Sequence, residues 1–272
     1  MKISVLIDNI ENGSLVGEWG LAIYIEHNGR KILLDTGGSE QFLDNAAKMG
    51  IDVKEIDAAV LSHAHYDHAN GMDAFFASNN KANLYLQGCC RENCYAEKEN
   101  GLEYIGIKKG WLGKHKQRLS YINSDCFPLG NGAVILPHST EGLEAEGVKA
   151  KMFIKEDERL VPETFAHEQT LVLETESGLA VFSSCSHAGV DNIINEVRRA
   201  YPEKKICAYI GGMHLFKTED DEVIALAKRL KNSGVDRIIT GHCTGDHALE
   251  ILKKELGDRL IAMHSGLEVE ID

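Results

Sequence analysis

The chain of 272 residues has a net charge of −13, with 43% hydrophobic and 26% charged residues, a composition typical of a soluble globular protein. This acidic balance argues against a general nucleic-acid-binding protein, because affinity for phosphates needs clustered cations. No apolar run is long enough for a membrane helix or a secretory leader, so we expect a cytoplasmic protein without a membrane partner.

The first half of the chain begins with strands and a hairpin. The predicted strands lie at residues 2–8, 20–27, 30–35 and 58–62. Asn28 and Gly29 separate two of these strands and are typical of a two-residue hairpin turn. Ser39 can cap a helix that runs to about Lys48. The run at 58–62 is short, apolar and bounded by polar residues, which indicates a buried strand.

A dense group of metal-binding residue types follows that strand. His63, His65, Asp67 and His68 lie within six residues of one another, on a loop that leads towards a predicted helix at 70–77. Several imidazoles this close repel one another when protonated, and they are buried at low cost only when neutral or bound to a cation. The alternative is that these are exposed histidines, or a core histidine whose hydrogen bonds are satisfied. That explanation suits a single histidine better than a group of four such residues.

The spacing within the group suggests how metals would be bound. Residues two apart share a face of an extended segment, so His63 and His65 can bind one ion together. Asp67 and His68 follow where the chain curls, and they can face a second ion. Imidazole and carboxylate suit zinc first, with manganese or iron as alternatives, so we expect one or two divalent metal ions.

The segment at about 87–165 fits the α/β pattern poorly. It is rich in Gly, Lys and Glu, and its one clear predicted strand lies at 133–136. We interpret it as an insertion in a single domain spanning residues 1–272. Such an insertion can form a lid that selects the substrate, or it can be a surface elaboration without function.

Cysteine clustering within this segment does not indicate a disulfide framework. The chain has seven cysteines, an odd and scattered number. Cys89, Cys90 and Cys94 cluster, but no histidine or second cysteine pair completes a zinc-finger spacing. Reduced thiols in a turn are the better interpretation.

Basic and aromatic residues occupy the middle of the same segment. The stretch at 108–118 contains lysines, an arginine and no acid, so it predicts either a solvated loop or a surface that faces an anionic substrate. Trp111, Tyr104 and Tyr121 can stack on a flat ring, or they can build a small core of their own.

The second half alternates strands with helices. The predicted strands lie at 170–175, 179–184, 206–210, 236–240 and 260–263, and the predicted helices at 190–200, 219–232 and 246–256. Two similar halves of this kind suit two sheets packed face to face with helices outside. Functional residues are then expected on loops at one edge of the sheets.

The His-x-His-x-Asp-His run resembles the signature of the metallo-β-lactamase superfamily. This resemblance implies an α/β fold, a four-layer αββα sandwich with a mono- or dinuclear metal site at one edge. It also implies a buried aspartate at the end of an early strand, for which Asp35 is the match, as a carboxylate that fixes a ligand histidine by hydrogen bonding. His242, after a strand and a glycine, matches the last metal ligand of the superfamily.

The ligand in the middle of the chain is less well defined. The superfamily usually supplies a histidine before a hairpin strand and a bridging aspartate after the next strand. His167 precedes a predicted strand, Cys185 falls where the bridging aspartate is expected, and His187 follows two residues later. His187 is favoured because a neutral imidazole binds metal without losing a thiol proton, and His167 and Cys185 remain alternatives.

The predicted function is a metal-dependent hydrolase that acts on a small phosphorylated or anionic metabolite through a metal-activated hydroxide. In this interpretation Asp67 binds metal and orients the water or accepts its proton. His214 protonates a leaving group or binds a substrate oxygen, unless it is only structural. A small anionic substrate is the expected partner, and a homo-oligomer is left open.

Glycine-rich segments around Cys185, His214 and His242 favour one subgroup. They resemble the dihydropterin–ribofuranosylaminobenzene phosphate synthases and their bacterial relatives, which implies as an alternative a transferase reaction that forms a C-glycoside. A metal-binding regulator without turnover is the third alternative.

Overall fold

Residues 1–157 and 159–272 are described in the computed structural model, and they form a four-layer αββα sandwich. The fold predicted from the sequence is therefore confirmed. The strands are β1 (Lys2–Ile7), β2 (Ala22–His27), β3 (Arg30–Leu34), β4 (Ala58–Val60), β5 (Asn83–Gln87), β6 (Cys94–Lys98), β7 (Gly101–Tyr104), β8 (Leu119–Ile122), β9 (Phe127–Gly130), β10 (Ala133–Pro137), β11 (Met152–Glu156), β12 (Arg159–Pro162), β13 (Gln169–Thr175), β14 (Gly178–Phe182), β15 (Ile206–Ile210), β16 (Arg237–Thr240), β17 (Leu260–Ala262) and β18 (Glu268–Glu270). The helices are α1 (Gln41–Lys48), α2 (Tyr66–Ala69), α3 (Met72–Ser78), α4 (Trp111–Lys114), α5 (Leu143–Ala150), α6 (Val190–Ala200), α7 (Asp220–Asn232) and α8 (Asp246–Leu256).

Two seven-stranded sheets form the centre of the sandwich. The first has the order β18-β1-β2-β3-β4-β5-β8, and the second has the order β17-β16-β15-β14-β13-β10-β9. The hairpin between β2 and β3 turns at Asn28 and Gly29, whose φ angles are 47° and 73°. Both angles are positive, as the tightest hairpin turns require, which explains why this asparagine–glycine pair is a reliable sequence signal. In the described part of the chain, no helix is both long and apolar enough to cross a membrane.

Burial on both faces explains the apolar strands. In β2, Ile23 and Ile25 face the second sheet, whereas Ala22 and Tyr24 pack under the helices of the first outer layer. The second sheet follows the same pattern, with one strand face in the central layer and the other under α6, α7 and α8. Strands that are covered on both faces have continuous apolar sequences rather than alternating ones, and this pattern allowed them to be predicted.

The segment at 87–165 differs from the predicted single insertion. Strand β8 completes the first sheet beside β5, and β9 and β10 form one edge of the second sheet. The remainder contains a separate four-stranded sheet, in the order β12-β11-β6-β7, together with α5. The strands of this sheet were missed because they are short and carry many exposed side chains, so their apolar periodicity is weak.

Strand direction brings the candidate ligands to one edge. Strands β3 and β4 are parallel. Strand β1 runs in the same direction as β3, because both are antiparallel to β2. In the second sheet β14, β15 and β16 are also parallel. The loops that leave the carboxyl ends of these strands carry all the predicted metal and catalytic residues except His167.

Candidate metal centre

The loop between β4 and α2 is held in place by its neighbours. The backbone oxygens of Asp67 and His68 accept hydrogen bonds from Leu21 and Thr36, at 3.2 and 2.9 Å. On the other side, Ile107 donates to the backbone oxygen of Ala64 at 3.1 Å. The buried histidines and aspartate of this loop therefore project from a fixed backbone into the edge of the sandwich.

One group of potential ligands contains His63, His65 and His187. Their nearest ligand atoms all lie within 4.8 Å of one another. Nε2 of His63 and Nε2 of His187 are buried without a hydrogen-bond partner among the described residues. Buried polar atoms of this kind are rare unless an ion or water completes them. Burial and the neighbouring imidazoles hold the pKa of both histidines well below the usual range, so both are neutral and present a lone pair.

A second group, adjacent to the first, contains Asp67, His68 and His242. Oδ2 of Asp67 lies 3.8 Å from Nε2 of His68 and 3.5 Å from Nε2 of His242. Burial by itself would raise the pKa of Asp67, but His68 and His242 outweigh it and hold that pKa below the usual range. Burial disfavours a charged His242, yet Asp67 raises the pKa of His242 to about 9. The Asp67 carboxylate is therefore ionised and can bind a cation.

Hydrogen bonds determine which nitrogen of each histidine faces the centre. Nδ1 of His63 donates to Oγ of Ser62 at 2.8 Å, and Nδ1 of His242 donates to Oδ1 of Asn9 at 3.0 Å. Nδ1 of His68 donates to Oδ2 of Asp35 at 2.8 Å. In each ring Nδ1 carries a proton, so Nε2 is the nitrogen that can bind a cation. A ligand histidine needs this tautomer, and a hydrogen bond to the other nitrogen is the usual way to fix it.

Asp35 has the position that its predicted role requires. It is completely buried, and it accepts hydrogen bonds from the backbone nitrogen and from Oγ of Ser62, at 2.7 and 2.6 Å, in addition to that from His68. Its φ is 60°, a strained value for a residue with a side chain. In this conformation the carboxylate contacts Ser62 and His68 of the ligand loop.

Cys185 and His187 both reach the edge of the sandwich, on the loop after β14. Sγ of Cys185 lies 3.2 Å from Nε2 of His68. It belongs to a group with His63 and His68 and to another with His242 and Cys243, so it lies between the two sets of histidines. Burial and the adjacent Cys243 raise the pKa of the Cys185 thiol well above its usual value. This thiol would ionise only beside a bound cation.

His167 lies behind the two groups rather than in them. Its Nδ1 accepts a hydrogen bond from the backbone nitrogen of Ala64 at 3.1 Å, and its Nε2 donates to Oε1 of Glu163 at 2.5 Å. Both ring nitrogens form hydrogen bonds, and His167 groups with His65, Cys94 and Glu163 rather than with His63 and His187, so the alternative that His167 is the middle ligand stays a prediction. Cys94 Sγ lies 3.7 Å from the same Nε2.

Glu163 is a site residue that the sequence did not reveal. It is completely buried, and its Oε2 lies 3.4 Å from Nε2 of His65 while Oε1 accepts from His167. Burial opposes its ionisation, but His65 and His167 together hold its pKa below the usual range. The carboxylate occupies Nε2 of His65, which leaves Nδ1 as the ring nitrogen available to a metal ion. Glu163 is 98 residues from His65 in the sequence, and nothing in its local pattern marks it.

Glu168 was missed as well, although it adjoins a histidine and a strand that were predicted. Its two carboxylate oxygens accept hydrogen bonds from the backbone nitrogens of His187 and Ala188, at 2.8 and 2.9 Å. The loop that carries His187 is therefore anchored through its backbone. A charged residue at the start of an apolar strand was the signal that could have revealed it.

A cleft of about 1280 Å³ opens above these groups. His65, Asp67, Cys185 and His187 lie in its lining. Residues of β6, α5 and β11 form one wall, and the loops after β14 and β15 form the other. The separate small sheet and α5 are thus placed where a lid would be, and a role in substrate selection stays a prediction.

His214 lies in the same lining, with its ring 4.4 Å from that of His187. Burial, assisted by the positive charges of His65 and His242, lowers the pKa of His214 to about 4. The imidazole is therefore neutral near pH 7. It is better suited to hydrogen bonding with a substrate oxygen than to donating a proton from a standing imidazolium.

The basic stretch at 108–118 does not reach the cleft. Trp111 is buried and stacks on Phe76 with ring centroids 5.7 Å apart, and Lys114 and His115 both bind Asp73 at 2.6 Å. The stretch packs against α3, because its aromatic ring contacts Phe76 and its basic side chains contact Asp73, both on that helix. The alternative in which these aromatics build a core therefore holds for Trp111.

Comparisons with known proteins agree with this arrangement. A family model described as the metallo-β-lactamase superfamily matches residues 20–149. A Methanocaldococcus jannaschii protein named 7,8-dihydropterin-6-methyl-4-(β-D-ribofuranosyl)-aminobenzene-5′-phosphate synthase is 28% identical over 254 residues, covering 90% of this chain and 86% of the relative.

Solved structures show the same similarity. Tm1679, described as a metal-dependent hydrolase of the β-lactamase superfamily, superposes with a TM-score of 0.86 at 29% identity, covering 100% of this chain and 99% of the other. A diphosphatase of the PhnP family superposes with a TM-score of 0.59 at 15% identity, covering 100% and 98% of the two chains, and shows the shared fold alone.

Proposed function

We propose that this chain, which is similar to members of the metallo-β-lactamase superfamily, is a metal-dependent hydrolase of a small phosphorylated or otherwise anionic metabolite. The observation that carries the proposal is the convergence of buried, unpaired Nε2 atoms from His63, His187 and His242 beside the ionised Asp67. They meet beneath an open cleft, where a substrate can reach them.

The donor set suits two divalent ions. His63, His65 and His187 would hold one ion, and Asp67, His68 and His242 would hold the other, with Cys185 between them. Nitrogen, sulfur and carboxylate donors together favour zinc over manganese or iron, because a thiolate is a soft ligand. Bound in this way, the ions would lower the pKa of a coordinated water and withdraw charge from the substrate.

The protein's own side chains have separable tasks. Asp67 is ionised and lines the cleft, so it can accept a proton from a water molecule on the cleft floor. His214 is neutral and can donate a hydrogen bond to a substrate oxygen. Asp35 and Glu163 do not line the cleft, and they hold His68 and His65 in the required orientation.

Charge in the cleft favours a compact anion over a polymer. Most lining cations are already paired with carboxylates, as in Lys149 with Glu222 at 3.1 Å and Arg229 with Asp191 at 2.6 Å. A nucleic-acid strand needs many unpaired cations along its path. A substrate with one phosphate or carboxylate needs only the metals and one free cation.

A synthase activity is the second candidate, and one observation favours it. The 28% identity with the synthase from Methanocaldococcus jannaschii extends over 90% of this chain, so the similarity is not confined to the metal motif. The two candidates differ in what they consume. A hydrolase releases product from a single anionic substrate in water, whereas a synthase needs a second organic substrate.

A substrate panel tests the proposal. Metal-reconstituted protein, prepared separately with zinc, manganese and iron, is assayed on phosphomonoesters, phosphodiesters and lactones. We expect turnover of at least one small anionic ester, and its loss in Asp67→Asn. Full metal loading with no turnover on any ester would contradict the hydrolase and favour the synthase or a non-enzymatic regulator.

A further inference from the structure

Two exposed aromatic side chains border the cleft beside the candidate metal centre. Trp19 and Phe216 are 43% and 39% exposed, and their ring centroids lie 5.5 Å apart at 75°. Both belong to the cleft lining. Large apolar rings left open to water next to a polar site are typical of a surface that a ligand covers.

This aromatic pair continues directly into the histidines of the metal centre. The Trp19 ring lies 5.2 Å from the ring of His242. The Phe216 ring lies 5.1 Å from that of His214, which in turn contacts His187. A molecule resting on Trp19 and Phe216 is therefore one ring away from the nitrogen atoms that would bind metal. Its substituents can reach the reacting position.

The backbone at Trp19 is fixed before any ligand arrives. Oε1 of the preceding Glu18 accepts hydrogen bonds from the backbone nitrogens of Gly38 and Ser39, at 3.0 and 3.1 Å. On the other side, Leu21 donates to the backbone oxygen of Asp67 at 3.2 Å. An aromatic ring on a fixed backbone loses little conformational entropy when it stacks on a ligand.

Phe216 is fixed in a similar way. Its backbone nitrogen donates to the backbone oxygen of Cys243 at 3.3 Å. Gly245 packs so tightly against it that an added Cβ would lie 2.8 Å from Cα of Phe216. Gly245 also has a φ of 77°, so this close approach needs a glycine. Both rings therefore project from a fixed backbone.

A free cation adjoins this surface. Nζ of Lys217 lies 5.3 Å from the ring centroid of Phe216. Lys217 lines the cleft and forms no ion pair within the described residues, unlike Lys149, Lys151 and Arg229 of the same lining. An unpaired ammonium group beside exposed rings fits a ligand that combines a flat ring with an anionic group.

We propose that Trp19 and Phe216 form a stacking site for a planar ring, so that the substrate is an aromatic or heteroaromatic compound bearing a phosphate or carboxylate. This inference rests on the proposed function, because the anionic group is placed at the metal centre or at Lys217. It narrows the substrate class by excluding purely aliphatic phosphates and sugar phosphates as the best ligands.

Two non-hydrolysable probes that differ only in ring planarity test the inference. Phenylphosphonate and cyclohexylphosphonate are titrated calorimetrically into the metal-loaded protein. We expect the phenyl compound to bind about three- to tenfold more tightly, which is the range for one aromatic pair. In Trp19→Leu that preference is lost, while cyclohexylphosphonate binds as before. Tyr121→Leu is the matched control, because Tyr121 is 42% exposed and lies outside the cleft lining.

Fluorescence gives an independent readout. The chain has two tryptophans, and Trp111 is buried in the core beside Phe76, so Trp111→Phe leaves Trp19 as the only indole. We expect phenylphosphonate to change that emission and cyclohexylphosphonate to change it less. Equal affinities and equal emission changes for the two probes would overturn the stacking site and leave the proposed function standing. Failure of both probes to bind the metal-loaded protein would contradict the proposed function and the stacking site together.

Discussion

Sγ of Cys185 lies 3.2 Å from Nε2 of His68, between the two groups of histidines that would each hold a metal ion. The superfamily resemblance led us to expect a bridging aspartate at this place. A thiol there exchanges a hard oxygen ligand for a soft sulfur ligand. Metal binding to sulfur can be followed without any knowledge of the substrate.

Cobalt substitution tests the role of Cys185. We expect the cobalt-loaded protein to show a sulfur-to-cobalt charge-transfer band, because the buried thiol ionises when it binds the metal. The band disappears in Cys185→Ser and persists in Cys207→Ser, a buried cysteine of β15 that belongs to neither ligand group and is the matched control. A band of unchanged intensity in Cys185→Ser would show that this sulfur is not a ligand.

Glu163→Gln should weaken metal binding without removing a ligand. The glutamine keeps the size of the side chain, but it no longer supplies the ionised carboxylate that His65 and His167 share. We expect about 10- to 100-fold lower zinc affinity, measured by competition with a chromophoric chelator. Glu176→Gln, at an exposed position, is the control and should bind zinc normally. Equal affinities for the two variants would contradict the positioning role.

Asp35→Asn should destabilise the metal-free protein. Asp35 accepts three hydrogen bonds in a completely buried site, and an amide can accept only at its oxygen while its NH2 group faces donors. We expect a loss of about 2–4 kcal/mol in the free energy of unfolding, measured by urea denaturation. Asp44→Asn, at an exposed position on α1, should change it by less than about 0.5 kcal/mol. A loss no larger than that of the control would argue against the hydrogen-bonding role.

A hydrogen-bonded carboxylate outside the metal centre gives a prediction about pH. Glu196 of α6 lies 2.8 Å from Nδ1 of His138 and accepts from the backbone nitrogen of Ser139. Burial opposes ionisation of Glu196, but these donors outweigh it and lower its pKa from the ordinary value of 4.5. A depressed folded-state pKa stabilises the protein above the unfolded-state pKa, and that stabilisation is lost as the pH falls through the folded-state pKa.

The corresponding variant is Glu196→Gln. At pH 7 we expect it to lower the free energy of unfolding by about 1 kcal/mol, with the difference from the wild type shrinking below about pH 4.5. Glu250→Gln, at an exposed position on α8, is the control and should show no such trend. A difference between Glu196→Gln and the wild type that stays constant from pH 7 to pH 3 would contradict this assignment.

Elements with strong local periodicity were predictable from the sequence. The helix expected at 190–200 is α6 (Val190–Ala200), and the strand expected at 206–210 is β15 (Ile206–Ile210). In both, burial of one face or of two faces imposes a pattern that a short window contains. By contrast β7 and β12 have mostly exposed side chains, and their pairing depends on the separate small sheet rather than on local sequence.

The site shows the same division between local and long-range information. The His-x-His-x-Asp-His run is local, and it was visible at once. The choice between Cys185 and His187 was not, because it depends on Ser186, whose φ of 56° bends the loop so that both neighbours reach the metal-binding groups. A serine at such an angle carries no sequence signal. Its Oγ donates to the backbone oxygen of Gly212 at 2.8 Å, a contact between distant parts of the chain.

Two adjacent ligand groups would make a dinuclear metal centre, and elemental analysis after zinc reconstitution counts the ions that it binds. We expect about two zinc ions per chain in the wild type and about one in each of His187→Ala and His242→Ala, since each variant removes a ligand from a different group. His247→Ala, on the surface and paired with Asp220, should retain both ions. Unchanged zinc content in both ligand variants, equal to that of His247→Ala, would contradict the metal centre described above.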